Sequence, residues 1–272
     1  MGINNITFLI YSFIIGISIG SFINVILWRL PRKESIISPR SYCPKCQNQI
    51  TWKDNIPIIS WIILDGKCRF CSEKISIRYP IIELITGIAF VLSTFSHSLF
   101  FPNFPYIIHI MSNWVLISIC IPLIVFDIKY LWIPKLIIYI GILIGLIQVF
   151  IYSIAYEENL FLNNLISAFL GFFILYLINF VGKKFISKNV IGKGDMKLML
   201  MFGIWLGIKG ILISLYISFL TSGLICIILF SLKKIKKGAF IPFAPFLIFS
   251  SLFVWFIGTD TLIEGYFYFF NL

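Results

Sequence analysis

Residues 115–127 read Val-Leu-Ile-Ser-Ile-Cys-Ile-Pro-Leu-Ile-Val-Phe-Asp, an apolar run that ends in a single acid, Asp127. A second acid, Asp195, opens another apolar segment. A carboxyl group at the edge of a bilayer costs on the order of a few kcal/mol, so such an acid points to a functional site. Two of them predict a pair that shares a proton and activates water. The plainer alternative for Asp127 is an interfacial acid paired with Lys129.

The composition excludes a soluble domain. Of 272 residues, 60% are hydrophobic and only 12% are charged. Apolar stretches of 18 or more residues recur along the chain, and a helix of about 20 residues crosses the ~30 Å hydrocarbon layer. We therefore predict an all-α, polytopic membrane helical bundle. Its eight expected spans are residues 6–28, 80–101, 106–126, 132–153, 160–182, 195–208, 211–232 and 240–258. The short sixth span and the seventh could instead form one broken or re-entrant element.

The distribution of cations predicts the orientation. The net charge of +11 would suit nucleic acid, but threading eight spans places every Lys and Arg except Lys209 on one side of the bilayer. Cytoplasmic loops carry the excess of Lys and Arg. We therefore expect both termini outside the cytoplasm, a lipid bilayer as partner and no nucleic acid.

Four of the six cysteines lie in the one sizeable hydrophilic insertion, as Cys43-Pro-Lys-Cys46 and Cys68-Arg-Phe-Cys71. This spacing is typical of a four-thiolate zinc site, and a site with all four positions filled is structural. Two disulfides are the alternative, although they are rare in the reducing cytoplasm, and an iron–sulfur cluster fits less well. We predict three parts: the first helix (1–29), a cytoplasmic four-Cys domain that binds Zn²⁺ (30–79) and a transmembrane domain that carries both aspartates (80–272).

The segment Val190-Ile-Gly-Lys-Gly-Asp-Met-Lys-Leu198 joins a basic loop to the sixth predicted span. Gly192 and Gly194 flank the approach to Asp195, and glycine permits unusual backbone angles and close approach of a second chain. We expect a substrate backbone to approach here, with Lys197 nearby. The alternative is an ordinary helix start with Asp195 in its first turn.

Taken in order, these motifs resemble the bacterial type IV prepilin peptidases, also called leader peptidases with N-methyltransferase activity. The likeness covers nearly the whole chain. The matching segments are Gly20-Ser-Phe-Ile-Asn24-Val, Arg29-Leu-Pro31, the cysteine pairs around Asp54-Asn-Ile-Pro57-Ile-Ile-Ser-Trp61, Gly66-Lys-Cys68-Arg-Phe-Cys71, Ile77-Arg78-Tyr-Pro80 before Glu83-Leu-Ile-Thr86, the Asp127 loop, residues 192–197 and Ile241-Pro-Phe-Ala-Pro-Phe246.

The resemblance implies an aspartyl endopeptidase of the bacterial inner membrane. It would remove the leader of type IV prepilin or pseudopilin precursors at the cytoplasmic face, in pilus assembly or protein secretion. It would then methylate the new amino terminus with S-adenosylmethionine. Asp127 and Asp195 match the family's catalytic pair. The cysteine tetrad matches a domain associated with methyl transfer, and Asn24, Arg29 and Glu83 belong to the same predicted region.

One departure concerns the loop after Asp127. The family's loop commonly ends in Leu-Pro-Asp, whereas this chain has Ile133-Pro134-Lys135 and lacks a third acid. We expect this change to alter local charge without abolishing the chemistry. Lys129 and Lys135 beside Asp127 should favour its ionised form, which would make Asp127 the base.

Two other classes of function remain open at this stage. In a proton- or ion-coupled transporter, the two aspartates would relay protons, and their substitution would impair transport. In a non-enzymatic assembly factor, the zinc loop would dock a cytoplasmic partner, and both acids would tolerate Asn.

Overall fold

A computed structural model describes residues 3–100, 106–156, 159–186, 190–234 and 241–270. Within these ranges the chain is helical, and its paired extended residues form isolated β-bridges only. The helices are α1 (Ile3–Arg29), α2 (Ile59–Ile63), α3 (Arg78–Phe100), α4 (Tyr106–Tyr130), α5 (Lys135–Tyr156), α6 (Leu160–Ile186), α7 (Lys193–Ser231), α8 (Ala244–Ile257) and α9 (Thr259–Phe270). Short 3-10 turns cover Leu30–Arg32 and Trp52–Asn55. The predicted all-α membrane fold is confirmed.

The predicted number of eight spans is not confirmed. Among the described residues, 6 helices are long and apolar enough to cross a membrane, and α8 with α9 adds another if this pair, bent by 90°, is one span. The predicted sixth and seventh spans both fall in α7, which has 39 residues. A straight helix of that length would extend about 58 Å, nearly twice the thickness of the hydrocarbon layer. Gly207 (φ 69°, ψ 179°) interrupts α7, so the helix consists of two segments that match those two predictions.

The described chain divides into two compact units, Met1–Pro122 and Leu123–Leu272. In the first unit, α1 and α3 pack with their backbones in close contact. A Cβ added to Gly20 would lie 2.7 Å from the Cα atom of Glu83, and one added to Gly16 would lie 2.7 Å from the Cα atom of Gly87. Small residues four positions apart allow such approach between membrane helices. This packing fixes Glu83 directly against α1.

Arg29, at the end of α1, organises the start of the hydrophilic segment. It is only 4% exposed. Its guanidinium donates hydrogen bonds to four backbone carbonyls, those of Ser35 (2.9 Å), Ile36 (3.3 Å), Pro39 (2.6 Å) and Arg40 (3.4 Å). The planar five-donor fork of arginine suits such a cluster of acceptors. Arg29 therefore ties the loop to the helix end, and its donors are directed at this loop.

The second unit contains the end of α4 and helices α5 to α9. Its centre is the first segment of α7, whose Leu198, Met199 and Phe202 are fully buried. This segment lies close to α6, because a Cβ on Gly203 would come within 2.4 Å of the Cα atom of Ala168. The predicted boundaries at residues 29 and 79 are drawn from changes in composition, whereas the two compact units meet at residue 122. The boundaries stay a prediction.

Candidate active site

Asp195 lies in the first turn of α7, where the sequence predicted a helix start or a catalytic acid. It is 7% exposed. The backbone N–H of Gly192 donates to its Oδ2 atom at 3.1 Å, so Asp195 holds the residue that precedes its own helix. Its Oδ1 atom is buried and has no hydrogen-bond partner within the described part of the chain. The helix-start interpretation is thus correct locally, yet it leaves one carboxyl oxygen available.

Asp127 lies in the last turn of α4 and is 6% exposed. The negative end of a helix dipole is an unfavourable place for a carboxylate. The backbone N–H of Ala244, the first residue of α8, compensates by donating to its Oδ2 atom at 3.1 Å. The positive end of one helix therefore faces the acid at the end of another.

The two acids come together at one end of the second unit. Ile133, in the loop that follows Asp127, is 7% exposed and packs against Gly194. A Cβ on Gly194 would lie 3.0 Å from the Cδ1 atom of Ile133. Asp127 is also close enough to Asp195 to interact with it electrostatically. These two observations place the carboxyl groups in the same region of the second unit, although they are far apart in sequence.

The structure shows which atoms lie beside Gly192 and Gly194. Gly192 has an ordinary extended backbone (φ −69°, ψ 145°), so a need for unusual angles is the wrong explanation there. A Cβ on Gly192 would lie 2.9 Å from the Oδ2 atom of Asp195. Gly192 thus leaves room for the Asp195 carboxyl group, whereas Gly194 leaves room for the side chain of Ile133. Lys197 is turned toward α5, where its Nζ atom donates to the Tyr139 hydroxyl at 3.2 Å.

The expectation that Lys129 and Lys135 favour the ionised form of Asp127 stays a prediction. No ion pair among the described residues includes Asp127 or Asp195. The Nζ atom of Lys129 lies 5.0 Å from the centre of the Tyr130 ring. The interfacial pair of Asp127 with Lys129 is therefore wrong, and the contact that stabilises Asp127 is the N–H of Ala244. The only sequence signal for it was Pro245, since proline favours the first positions of a helix.

The four predicted cysteines form one cluster in the first unit, and all of their sulfur atoms lie within 4.8 Å of one another. The Sγ atoms of Cys43 and Cys71 are 3.8 Å apart, and those of Cys46 and Cys68 are 4.0 Å apart. Zn–S bonds of about 2.3 Å in a tetrahedron place sulfurs about 3.8 Å apart. All six cysteines are free thiols, so the disulfide alternative is wrong. The donor set fits a structural Zn²⁺.

The two cysteine pairs share one local fold, which the sequence analysis missed. Cys43 N–H donates to the Asn48 carbonyl, and Cys68 N–H donates to the Glu73 carbonyl. The residue after each pair, Gln47 or Ser72, has a positive φ of about 60°. The bridges between residues 42 and 49 and between residues 67 and 74 close the two loops. The identical Cys-x-x-Cys spacing of the two pairs was the sequence signal for this shared fold.

Hydrogen bonding around the cysteine cluster affects its thiols unequally and fixes one loop. Backbone N–H groups of Cys71 and Phe70 lower the pKa of the Cys68 thiol to about 7. At Cys71 the backbone hydrogen bond of Glu73 is outweighed by desolvation and by hydrogen bonds with the neighbouring thiols, which raise the pKa of this thiol to about 12. Thiolates are the metal-binding form, so metal binding here would release protons. Arg69 makes a bidentate pair with Asp54, at 2.9 Å and 2.6 Å, and this hydrogen bonding lowers the pKa of Asp54. The second cysteine loop is thereby fixed to the 3-10 turn before α2.

Asn24, Arg29 and Glu83, the predicted methyl-transfer residues, line one cavity of about 350 Å³ in the first unit. Its size is at the lower end of the range for small-molecule sites. Trp28 and Trp61 contribute aromatic wall. The structure therefore brings these three residues together, although the guanidinium of Arg29 serves the loop described above.

Comparisons with known proteins agree with this architecture. A family model described as "Bacterial Peptidase A24 N-terminal domain" matches residues 14–97, and one described as "Type IV leader peptidase family" matches residues 114–230. No solved structure matches the chain.

Among curated proteins, a "Prepilin leader peptidase/N-methyltransferase" of Vibrio cholerae is 34% identical over 269 residues, which cover 92% of this chain and 96% of the relative. A protein with the same name in Myxococcus xanthus is 32% identical over 76% of this chain, which spans only 59% of that relative. The "Type 4 prepilin-like proteins leader peptide-processing enzyme" of Escherichia coli is 33% identical over 71% of this chain and 74% of its own length. These names do not favour a transporter or a non-enzymatic assembly factor. The chain belongs to the type IV leader peptidase family.

Proposed function

We propose that this chain is an aspartyl endopeptidase that removes the leader from type IV prepilin or pseudopilin precursors and then N-methylates the new amino terminus. The packing of Ile133 against Gly194 supports the proteolytic part most strongly, because it joins the loop of Asp127 to the first turn that carries Asp195. The relatives' printed names support both activities.

Asp127 acts as the base in this proposal and Asp195 carries the shared proton. Two adjacent carboxyl groups do not readily ionise together. Asp127 accepts the N–H of Ala244 at a helix start, a contact that stabilises an anion. Asp195 has a buried, unpartnered Oδ1 atom, and leaving such an oxygen charged would be costly. A proton on Oδ1 removes that cost and provides a donor.

The reaction then needs no covalent intermediate. Asp127 takes a proton from a water molecule whose oxygen attacks the scissile carbonyl carbon. The proton on Asp195 stabilises the oxyanion that develops. Asp127 passes its proton to the leaving amine as the C–N bond breaks, and the pair returns to one shared proton. Gly192 leaves room for the Asp195 carboxyl group and Gly194 leaves room for Ile133, and Lys197 remains on the α5 side.

The cysteine cluster would hold Zn²⁺ through Cys43, Cys46, Cys68 and Cys71. The ion would supply folding energy to a segment too short to build a large core of its own. S-adenosylmethionine, when bound, would supply the methyl group. The cavity lined by Asn24, Trp61 and Glu83 is the proposed place for this second activity, since it combines aromatic wall with buried polar groups.

The membrane location and the orientation of the protein are also part of the proposal. We infer a bacterial inner-membrane protein with both termini outside the cytoplasm, because only Lys209 among the Lys and Arg residues falls on the predicted external side. Lys209 pairs with Asp260 in the second unit, at 3.3 Å.

Coexpression with a prepilin tests the proteolytic proposal. Wild type, Asp127→Asn and Asp195→Asn are compared by the intact mass of the precursor, which reports both leader removal and methylation. We expect each variant to accumulate at the wild-type level and leave the precursor uncut. Complete processing by either variant would remove that acid from the mechanism.

A further inference from the structure

The cavity of about 350 Å³ is lined by two buried acceptor groups, the Asn24 amide oxygen and the Glu83 carboxyl group, and neither is paired with a cation among the described residues. The cavity lies in the first unit, at the end of α1 and the start of α3, and its walls are mainly apolar. Asn24 and Glu83 line it from these two helices. They are only 2% and 7% exposed, respectively.

Asn24 presents an unused acceptor. Its Nδ2 atom donates to the Tyr79 carbonyl at 3.0 Å, and this contact fixes the orientation of the amide because an oxygen there would face another oxygen. Its Oδ1 atom is buried and has no hydrogen-bond partner among the described residues. A buried acceptor without a donor is costly, so this atom points to a ligand that brings an N–H or O–H group.

Among the described residues, the buried carboxyl group of Glu83 has no ion-pair partner. Its Oε2 atom accepts the backbone N–H of Ile58 at 2.7 Å, and the Ser21 side chain also hydrogen-bonds to it. The ion pairs of the described chain join other residues. Three of the described cations line the cavity. Arg29 donates to loop carbonyls, and Arg69 is paired with Asp54. Lys74 forms no ion pair with Glu83.

We propose that Asn24 Oδ1 and the Glu83 carboxylate receive the primary ammonium group of the newly exposed peptide, which makes them the acceptor site for methyl transfer. The inference rests on the proposed function. An ammonium group offers three N–H donors and one positive charge, and the cavity lining offers one neutral acceptor, Asn24 Oδ1, and one carboxylate, Glu83. The amine exists only after the leader is removed, so this site acts on the product of the aspartyl pair.

Glu83 then has a defined chemical task. It accepts one proton from the ammonium nitrogen, and the freed lone pair forms a bond to the methyl carbon of a sulfonium donor. The carbon–sulfur bond breaks, and its electrons remain on sulfur as a neutral thioether. The products are a secondary ammonium group and protonated Glu83, so atoms and charges balance. Asn24 keeps hold of a remaining N–H.

Asn24 and Glu83 could instead bind the methyl donor, because S-adenosylmethionine also carries a primary ammonium group. Binding measurements on the purified full-length protein in lipid nanodiscs separate the two. The probes are a fluorescent peptide with the mature pilin amino terminus and, separately, S-adenosylhomocysteine. Glu83→Gln is compared with the matched control Glu34→Gln, an exposed acid that is not among the residues lining the cavity.

We expect Glu83→Gln to weaken peptide binding at least tenfold relative to Glu34→Gln, while S-adenosylhomocysteine binding stays at the level of Glu34→Gln. Loss of S-adenosylhomocysteine binding with intact peptide binding would assign Asn24 and Glu83 to the methyl donor and overturn the proposal. Unchanged binding of both probes would also overturn it. If wild type cuts prepilin but never methylates it, the methyl-transfer part of the proposed function fails, whatever the peptide binding shows.

A second measurement uses only wild-type protein and therefore does not depend on how the variant folds. Peptides with a free, monomethylated, trimethylated or acetylated amino terminus are compared. The first two keep charge and N–H donors and should bind equally within about threefold. The trimethylated peptide keeps the charge but lacks donors, and the acetylated peptide lacks the charge. Both should bind at least tenfold more weakly, and equal binding of all four would refute the acceptor site.

Discussion

Gly194→Ala tests the contact that joins the two aspartates. The added Cβ atom would lie 3.0, 3.1 and 3.2 Å from the Cδ1, Cβ and Cγ1 atoms of Ile133, so the side chain must move by a few tenths of an ångström. Overpacking costs about 1–3 kcal/mol, whereas alanine in a helix gains about 1 kcal/mol over glycine. We therefore expect at most about 2 kcal/mol of destabilisation.

The effect on activity should be larger than the effect on stability. A displacement of about 1 Å in a catalytic arrangement can cost about 100-fold in rate, so a shift of a few tenths of an ångström should lower the rate about tenfold. The assay is the initial rate of prepilin cleavage in nanodiscs, measured beside thermal unfolding. Ile133→Ala removes two of the three crowded atoms and should restore part of the lost rate in Gly194→Ala.

The matched control is Gly223→Ala. Gly223 also lies in α7, but a Cβ added there meets no atom within 4 Å. It should cleave prepilin at the wild-type rate. Full activity of Gly194→Ala, or an equal loss in both glycine variants, would refute the claim that this contact sets the position of the acids.

Three further outcomes follow from the first unit. Cys43→Ser and Cys68→Ser should each lose bound zinc, measured by elemental analysis. Both variants should lose more of their methylation activity than of their proteolytic activity. Normal zinc content would contradict the site. Gly66→Ala should reduce methylation and change tryptophan fluorescence, because the residue has φ +63° and its Cβ would lie 2.8 Å from the Trp61 ring; an unchanged spectrum would contradict this. Arg29→Lys keeps the charge but loses the fork, so limited proteolysis should cut the loop that it holds at least several times faster, and resistance equal to wild type would count against that role.

The sequence allowed most of the membrane fold to be predicted, because apolar runs report the thickness of the bilayer directly. It could not decide the number of spans. Hydropathy is insensitive to the single backbone break at Gly207, where two predicted spans share one helix. The bend between α8 and α9 lies at Gly258, another residue with positive φ. Such breaks depend on one residue's dihedral angles rather than on composition.

The candidate site was predictable in its residue types and not in its contacts. Asp127 and Asp195 stood out because charge is rare in apolar segments, and the cysteines stood out by their spacing. The acids are positioned by the backbone N–H of Ala244 and by Ile133, which packs against Gly194. The only sequence signal for the first contact was Pro245, and the second had none. The lysines near Asp127 suggested an ion pair because sequence proximity does not reveal where a long side chain points.

The most direct test of the central claim compares the cleavage rates of Asp127→Asn, Asp195→Asn and the double variant on one prepilin substrate. Groups that act as a unit show non-additive losses. We predict that each single variant loses at least about 100-fold in rate and that the double variant is no slower than either single one. Losses that multiply in the double variant, or a single variant close to the wild-type rate, would contradict a shared proton between the two acids.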